Sequence, residues 1–321
     1  MSRLMLDLRE RYGLENDAPE GVSRTMANLE KTGNITGDEQ RNRFLWLDNL
    51  LLPERGRLSL FRSKSEVVYM TGCVGALFPQ VGGIPQSLTR LLLKLETDFS
   101  LLEDEWCCGY PVMAGGKGLA NAADYAMHNI SAITAKGAKT VIVSCPTCYY
   151  MLTKVYPGLT GAPLPFRTLH YTEYLCSLPG LSGPGDFQRP GLSGAGGETV
   201  VTYHDPCDLS RKLQITEPPR ELLRGLSGVS LREMRFSRGE SKCCGGGGNL
   251  EMADPSLAAD IAARRIGDAV AVGAEYLLSS CQQCKRTLQN AARKARARIK
   301  VQDLLEFLVE RVGAQEKERL H

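Results

Sequence analysis

The chain has 321 residues, 43% hydrophobic and 23% charged, which is enough to bury a full core and to make two domains. Its 39 basic and 36 acidic residues leave a net charge of +3, too small to argue for nucleic acid. Arg3, Asp7, Arg9 and Glu10 interrupt the start of the chain, so no signal peptide is expected, and no uncharged apolar run reaches the ~18 residues of a membrane span. A cytoplasmic chain is expected, whose 11 cysteines stay reduced and hold metal rather than pair as disulfides.

Residues 1–65 contain no cysteine and read as a helical arm. Leu4, Leu8 and Tyr12 suggest a short amphipathic helix that stops near Gly13. Val22, Met26 and Leu29 make a second, ended by Gly33-Asn34. Thr36 and Glu39 have the spacing of a capping box, and Phe44, Leu47 and Leu51 form an apolar stripe before Pro53. Such an arm has little reason to fold alone and should pack on the body or dock a partner.

A strand is expected at Glu66–Met70, running into Gly72-Cys73, then a helix over Ile84–Leu95. Cys107-Cys108-Gly109 is a tight loop, Leu119–Lys136 a helix, and Thr140–Ser144 an apolar strand of the kind buried in a parallel sheet. Pro146 then opens a helix, and Tyr171–Leu178 makes another. Residues 179–198 are dense in Gly, Pro and Ser and read as a linker between a first domain, 66–178, and a second, 199–321. The second domain restarts the series: a strand at Thr199–Tyr203, a helix at Glu221–Leu226, a helix at Ser256–Val272, a strand at Glu275–Ser279, a helix at Gln289–Lys300 and a last helix opening at Val301. Strands alternating with helices predict an α/β fold of two pseudo-symmetric repeats with mainly parallel sheets.

Ten of the cysteines obey the same repeat. Cys73, Cys107, Cys108, Cys145 and Cys148 are matched by Cys207, Cys243, Cys244, Cys281 and Cys284, with steps of 34, 37 and 3 in the first set and 36, 37 and 3 in the second. Two members of each set end predicted strands, the edge at which parallel α/β sheets build sites. Each Cys-x-x-Cys pair opens a helix, so its sulfurs share a face near free N–H groups that favour thiolates. The Cys-Cys pair needs a loop, because successive strand side chains point to opposite faces, and the glycine after it permits unusual φ and leaves room for the backbone to approach a metal. Structural zinc takes four ligands, usually from two such knuckles, and a lone Cys-x-x-Cys could be a redox dithiol. Two complete sets of five fit an iron–sulfur cluster in each repeat better, with the fifth thiol bridging irons or spare.

The segments Tyr203-His204-Asp205-Pro206-Cys207 and Cys243-Cys244-Gly245-Gly246-Gly247-Gly248 resemble the duplicated CCG cysteine-rich domain of the B subunit of heterodisulfide reductase and its relatives, and the resemblance covers about residues 66–310. It implies two 4Fe-4S clusters of non-cubane type, held by Cys73, Cys107, Cys108, Cys145 and Cys148 and by Cys207, Cys243, Cys244, Cys281 and Cys284. It also implies an oxidoreductase acting on sulfur groups, which cleaves or forms a disulfide, or a persulfide-type substrate, in two one-electron steps. Gly33–Trp46 resembles the segment after the ferredoxin module in fused relatives, yet the ferredoxin cysteines are not in this sequence. The implied partners are a separate ferredoxin-type iron–sulfur subunit (C-like) and a flavin subunit (A-like), with membrane association only through them. A relay subunit of a glycolate- or lactate-oxidising complex, and a metal-stabilised scaffold, stay open as alternatives.

Gln282-Gln283 departs from the family, where a proline often follows the first cysteine, but removes no ligand. Cys176 matches nothing in the second copy and reads as a core cysteine. His204 and Asp205, matched by Met70 and Thr71, read first as turn or cap residues and second as groups that tune a cluster or donate a proton. Gly245–Gly248 lacks the spacing of a phosphate loop, and the basic run from Arg293 to Lys300 reads as a solvated helix face.

Overall fold

The computed structural model describes residues 18–178 and 198–318 together with Leu4 and Leu8, with side chains as far as Arg311. The rest of the helix expected around Tyr12, and the linker apart from Glu198, lie outside the described residues.

Eight strands are present: β1 (Val67–Met70), β2 (Phe99–Leu101), β3 (Thr140–Val143), β4 (Arg167–His170), β5 (Thr199–His204), β6 (Val229–Leu231), β7 (Tyr276–Ser279) and β8 (Lys300–Asp303). They form two four-stranded parallel sheets, ordered β2-β1-β3-β4 and β6-β5-β7-β8. Val67 lies opposite both Phe99 and Thr140, and Val201 opposite both Leu231 and Tyr276. The same order twice shows the sequence repeat as architecture. Val68, Tyr69, Met70 and Val141–Val143 have no exposed surface, as strands covered on both faces require. In each sheet the chain steps outward to β2 or β6, then returns past the first strand to β3 or β7. The order therefore reverses between the carboxyl ends of β1 and β3, and of β5 and β7, where open α/β sheets bind ligands.

The chain divides into two compact units, one running to Leu169 and including Gly246–Leu257, the other made of His170–Gly245 with Ala258 onward. In the first, the helix Glu20–Thr32 buries Val22, Thr25, Met26 and Leu29 and ends at Gly33 with φ 69°, as its pattern predicts. It packs on Leu250–Ala253, where Thr25 Oγ1 donates to Met252 Sδ at 2.9 Å. In the second, the helix Tyr171–Ser177 is tied down by the Tyr171 hydroxyl, which donates to Asp303 Oδ1 at 3.1 Å.

Two expectations for the arm need correction. Residues Gln40–Leu50 form a 3-10 helix, and its buried residues are Arg43, Trp46, Leu47 and Leu50. With three residues per turn the inward face recurs every third residue, so Leu51 is exposed and Phe44 only half-buried. The capping box is absent: Asn34 Oδ1 accepts from Thr36 N, Thr36 Oγ1 and Gly37 N, and Glu39 caps without a side-chain bond. A short amide side chain closing its own turn has displaced the expected pair. A third correction falls at β8, where Val301-Gln302-Asp303 are strand and the last helix opens at Leu304. Among the described residues no helix is long and apolar enough to cross a membrane.

Candidate metal centres

Each thiol of the first set sits where a parallel strand hands over to a helix or loop. Cys73 opens a short helix just beyond β1, and Cys145 is the N-cap of the helix Pro146–Tyr150 just beyond β3, with Cys148 on that helix. Cys107 and Cys108 follow β2 in a loop that turns at Gly109, φ 81°. All five are buried. Their sulfurs form a string of hydrogen-bond contacts, Cys73 to Cys107, Cys107 to Cys108, Cys108 to Cys148 and Cys148 to Cys145. Donation within the string, then burial, pushes the Cys73 thiol up, whereas Cys108, which accepts from Cys107 and Cys148, is lowered to about 6. Residues separated by 75 positions in sequence thus meet at one sheet edge.

The second set repeats the arrangement. Cys207 contacts Cys243, Cys243 contacts Cys244, and Cys284 contacts both Cys244 and Cys281. Two backbone N–H groups point at sulfurs of this string: Gly245 N donates to Cys243 Sγ at 3.3 Å and Cys284 N to Cys281 Sγ at 3.4 Å. Gly245 has φ 85°, and a Cβ there would lie 2.4 Å from the carbonyl oxygen of Ala258. Its freedom therefore lets the loop lie against the helix Pro255–Ala271. Here Cys207 and Cys243 are only half-buried.

None of the 11 cysteines is in a disulfide, and ten of them form these two strings. Five thiols per string exceed the four a tetrahedral zinc takes, and an all-sulfur set with N–H donors directed at it is what iron–sulfur clusters use. The residues present fit such a group. Cys176 joins neither string; it donates to the carbonyl of Pro218 at 3.4 Å, and burial followed by Glu221 pushes its thiol up to about 12.

Charged and polar residues around the strings differ between repeats. Arg43 is 1% exposed, and its Nη2 donates to Cys73 Sγ at 3.0 Å while its Nη1 donates to Glu105 Oε1 at 2.9 Å. Glu105 also accepts from Thr71 N, Thr71 Oγ1 and Gly72 N, the residues that lead into Cys73. No sequence signal marks either Arg43 or Glu105 as a site residue. In the second repeat a ring nitrogen of His204 lies within 4.8 Å of the sulfurs of Cys244 and Cys284. Arg265 Nε donates to His204 Nδ1 at 3.1 Å, and Nε2 is buried and without a hydrogen-bond partner among the described residues. Burial, then the Arg265 charge, lowers His204 to about 3, so the ring is neutral. Asp205 is fully engaged elsewhere: Arg220 grips it through two bonds of 2.8 and 2.9 Å, and Arg238 N donates to it at 2.7 Å. Asp205 therefore has a structural role, whereas His204 stands at the sulfurs.

The model of the CCG cysteine-rich domain matches residues 67–153 and 201–289, together more than half of the chain. The chain belongs to this family. Both matched CCG segments contain their five cysteines. Among curated proteins, the chain is 33% identical over 86% of its length to the D subunit of dihydromethanophenazine:CoB–CoM heterodisulfide reductase of Methanosarcina acetivorans. It is 27% identical over 96% of its length to a probable iron–sulfur-binding oxidoreductase of Bacillus subtilis, and 27% over 92% to the EtfAB:quinone oxidoreductase of Syntrophomonas wolfei. It spans 64%, 43% and 41% of those three proteins, less than two thirds of each. Among solved structures, a hypothetical protein from Helicobacter pylori aligns with a TM-score of 0.51 at 14% identity, over 86% of this chain and 55% of that one, a likeness of fold alone.

Proposed function

We propose that this CCG chain is the iron–sulfur redox subunit of a heterodisulfide reductase-like complex, cleaving or forming a disulfide, or a persulfide-type bond, in two one-electron steps at two non-cubane 4Fe-4S clusters. The observation that carries the reading is the pair of complete five-thiol strings, each at the switch point of its own sheet. Cys73, Cys107, Cys108, Cys145 and Cys148 hold one cluster; Cys207, Cys243, Cys244, Cys281 and Cys284 hold the other. When bound, the clusters supply the single electrons. Reduction of a disulfide consumes two electrons and two protons and releases two thiols, and a ferredoxin-type partner subunit, fed by a flavin subunit, delivers the electrons in this reading. The likeness to heterodisulfide reductases of three Methanosarcina species supports it. The work of the chain's own residues is to bury the sulfurs, to direct the N–H groups of Gly245 and Cys284 at them, and to leave Cys207 and Cys243 within reach of solvent. A cytoplasmic location, with any membrane contact made through partners, belongs to the same proposal.

A relay subunit without its own sulfur substrate is the second reading, of the kind found in glycolate- or lactate-type dehydrogenase complexes. The likeness to the oxidoreductases of B. subtilis and S. wolfei, neither of them named for a sulfur substrate, favours it. Electron paramagnetic resonance of anaerobically purified protein separates the two. A signal that changes when a small thiol or its disulfide is added supports sulfur chemistry, and spectra indifferent to every thiol and disulfide support the relay.

A further inference from the structure

The first thiol string contains a buried cation that no property of the CCG segments accounts for, since Arg43 lies on the arm, outside the matched residues. Its guanidinium is held on three sides: Nε donates to Gln40 Oε1 at 2.8 Å, Nη1 to Glu105 Oε1 at 2.9 Å and Nη2 to Cys73 Sγ at 3.0 Å. The carboxylate that receives Nη1 also receives the backbone of Thr71 and Gly72, at 2.8 Å each. One buried carboxylate therefore fixes both the donor and the loop that presents the accepting sulfur. A guanidinium has only donors and keeps its charge in a protein, so its contact with Cys73 is charge-assisted and one-directional. Burial by itself would lower the Arg43 pKa; the nearby Cys73 and Glu105 raise it instead.

The matching sulfur of the second repeat has different neighbours. Beside Cys207 Sγ stands Asp208 Oδ1, at 3.9 Å, itself paired with Lys212, and the Arg211 charge also acts on that thiol. The arginines buried nearby bind Asp205 and His204. Two strings with the same five thiols are thus embedded in different fields.

We infer that Arg43 is a positioning residue of the first site, a fixed cation that the arm places on the Cys73 thiolate to raise that site's reduction potential relative to five thiolates alone. The inference rests on the iron–sulfur reading above. A reduced cluster carries one more negative charge than the oxidised one, so a nearby positive charge and an N–H donor on a ligand sulfur favour reduction. In the desolvated site this charge is poorly screened.

The test is a redox titration, followed by electron paramagnetic resonance, of the full chain purified anaerobically. Three variants are compared with wild type: Arg43→Lys, Arg43→Gln, and Arg43→Gln with Glu105→Gln, which removes the orphaned carboxylate along with its cation. Iron content is measured on every sample. The expected result is unchanged iron in the double variant, one of the two midpoint potentials shifted downward, the other in place, and a smaller shift in Arg43→Lys, which keeps the charge but loses the planar fork. Unchanged midpoints at full iron content overturn the inference and leave the function standing. Equal shifts of both midpoints, or loss of iron in all three variants, overturn it as well, since Arg43 then acts through the fold. A wild-type chain without iron overturns the function itself, and the inference falls with it.

Discussion

Asp205 and His204 are neighbours in sequence with separate duties. Asp205 neutralises Arg220, which has no exposed surface, through a bidentate pair. Glu233 holds the same guanidinium through Nε at 2.6 Å and Nη2 at 3.0 Å, so Asp205→Ala leaves the charge paired but removes two charge-assisted bonds and the bond from Arg238 N. It is expected to cost about 1.5–3 kcal/mol, read as a fall in denaturant midpoint, and a change inside the range of surface substitutions would show that water replaces the carboxylate. His204 is different because its Nδ1 accepts from Arg265, so the neutral ring's proton sits on Nε2, and the ring has a nitrogen within 4.8 Å of the sulfurs of Cys244 and Cys284. His204→Met installs the residue that the first repeat has at this position, Met70. The expected outcome is full iron content with the spectrum of one site altered and the other unchanged. Identical spectra would mean that the imidazole only packs. Cys176→Ser, which touches neither string, is expected to leave iron content unchanged.

At the scale of elements, the glycine that follows each Cys-Cys pair has a specific geometric task. Gly245→Ala drives a Cβ to 2.4 Å from the Ala258 carbonyl in a left-handed conformation, whereas a Cβ at Gly247 meets nothing within 4 Å. The first substitution is expected to remove about half of the bound iron and the second none; equal iron in both would show that the helix Pro255–Ala271 yields. The sequence suggests a metal approach for this glycine, and the close approach proves to be to a helix carbonyl. The end of β8 carries a pH dependence. Burial, followed by Glu306, pushes Asp303 up to about 7 from an ordinary 3.8. Between those values the folded chain keeps a proton the unfolded chain has lost, so this group's stabilising contribution, complete below pH 3.8, declines as pH rises toward 7. The slope is at most about 1.4 kcal/mol per pH unit, and Asp303→Asn is expected to remove it from a series of denaturant curves. β8 itself is illegible in the sequence because Lys300, Gln302 and Asp303 are poor strand formers, and pairing of Tyr276 with Lys300 and Ser279 with Asp303 imposes the extended form. The arm misleads in another way, since a helical period of 3.6 does not describe a 3-10 helix, which turns in three.

For the whole molecule, the repeat is legible because strands ending in cysteine must recur at equal spacing if each sheet is to build the same site. The parallel sheets, their central strands β1, β3, β5 and β7, and the grouping of the ten cysteines all follow from that pattern. Arg43 and Glu105 do not, because they are 62 residues apart and nothing local marks either as the other's partner. Near the thiols, the difference between the repeats is legible at His204 and Asp205, matched by Met70 and Thr71, and at Gln282-Gln283, matched by Pro146-Thr147. The most direct test of the two-cluster reading is iron and acid-labile sulfide per chain on anaerobically purified protein, for wild type, for Cys107→Ser with Cys108→Ser, and for Cys243→Ser with Cys244→Ser. About eight irons with matching sulfide in wild type, and about half in each double variant, are expected. Zinc in place of iron, or iron that stays at the wild-type level in either double variant, contradicts two thiolate-held clusters.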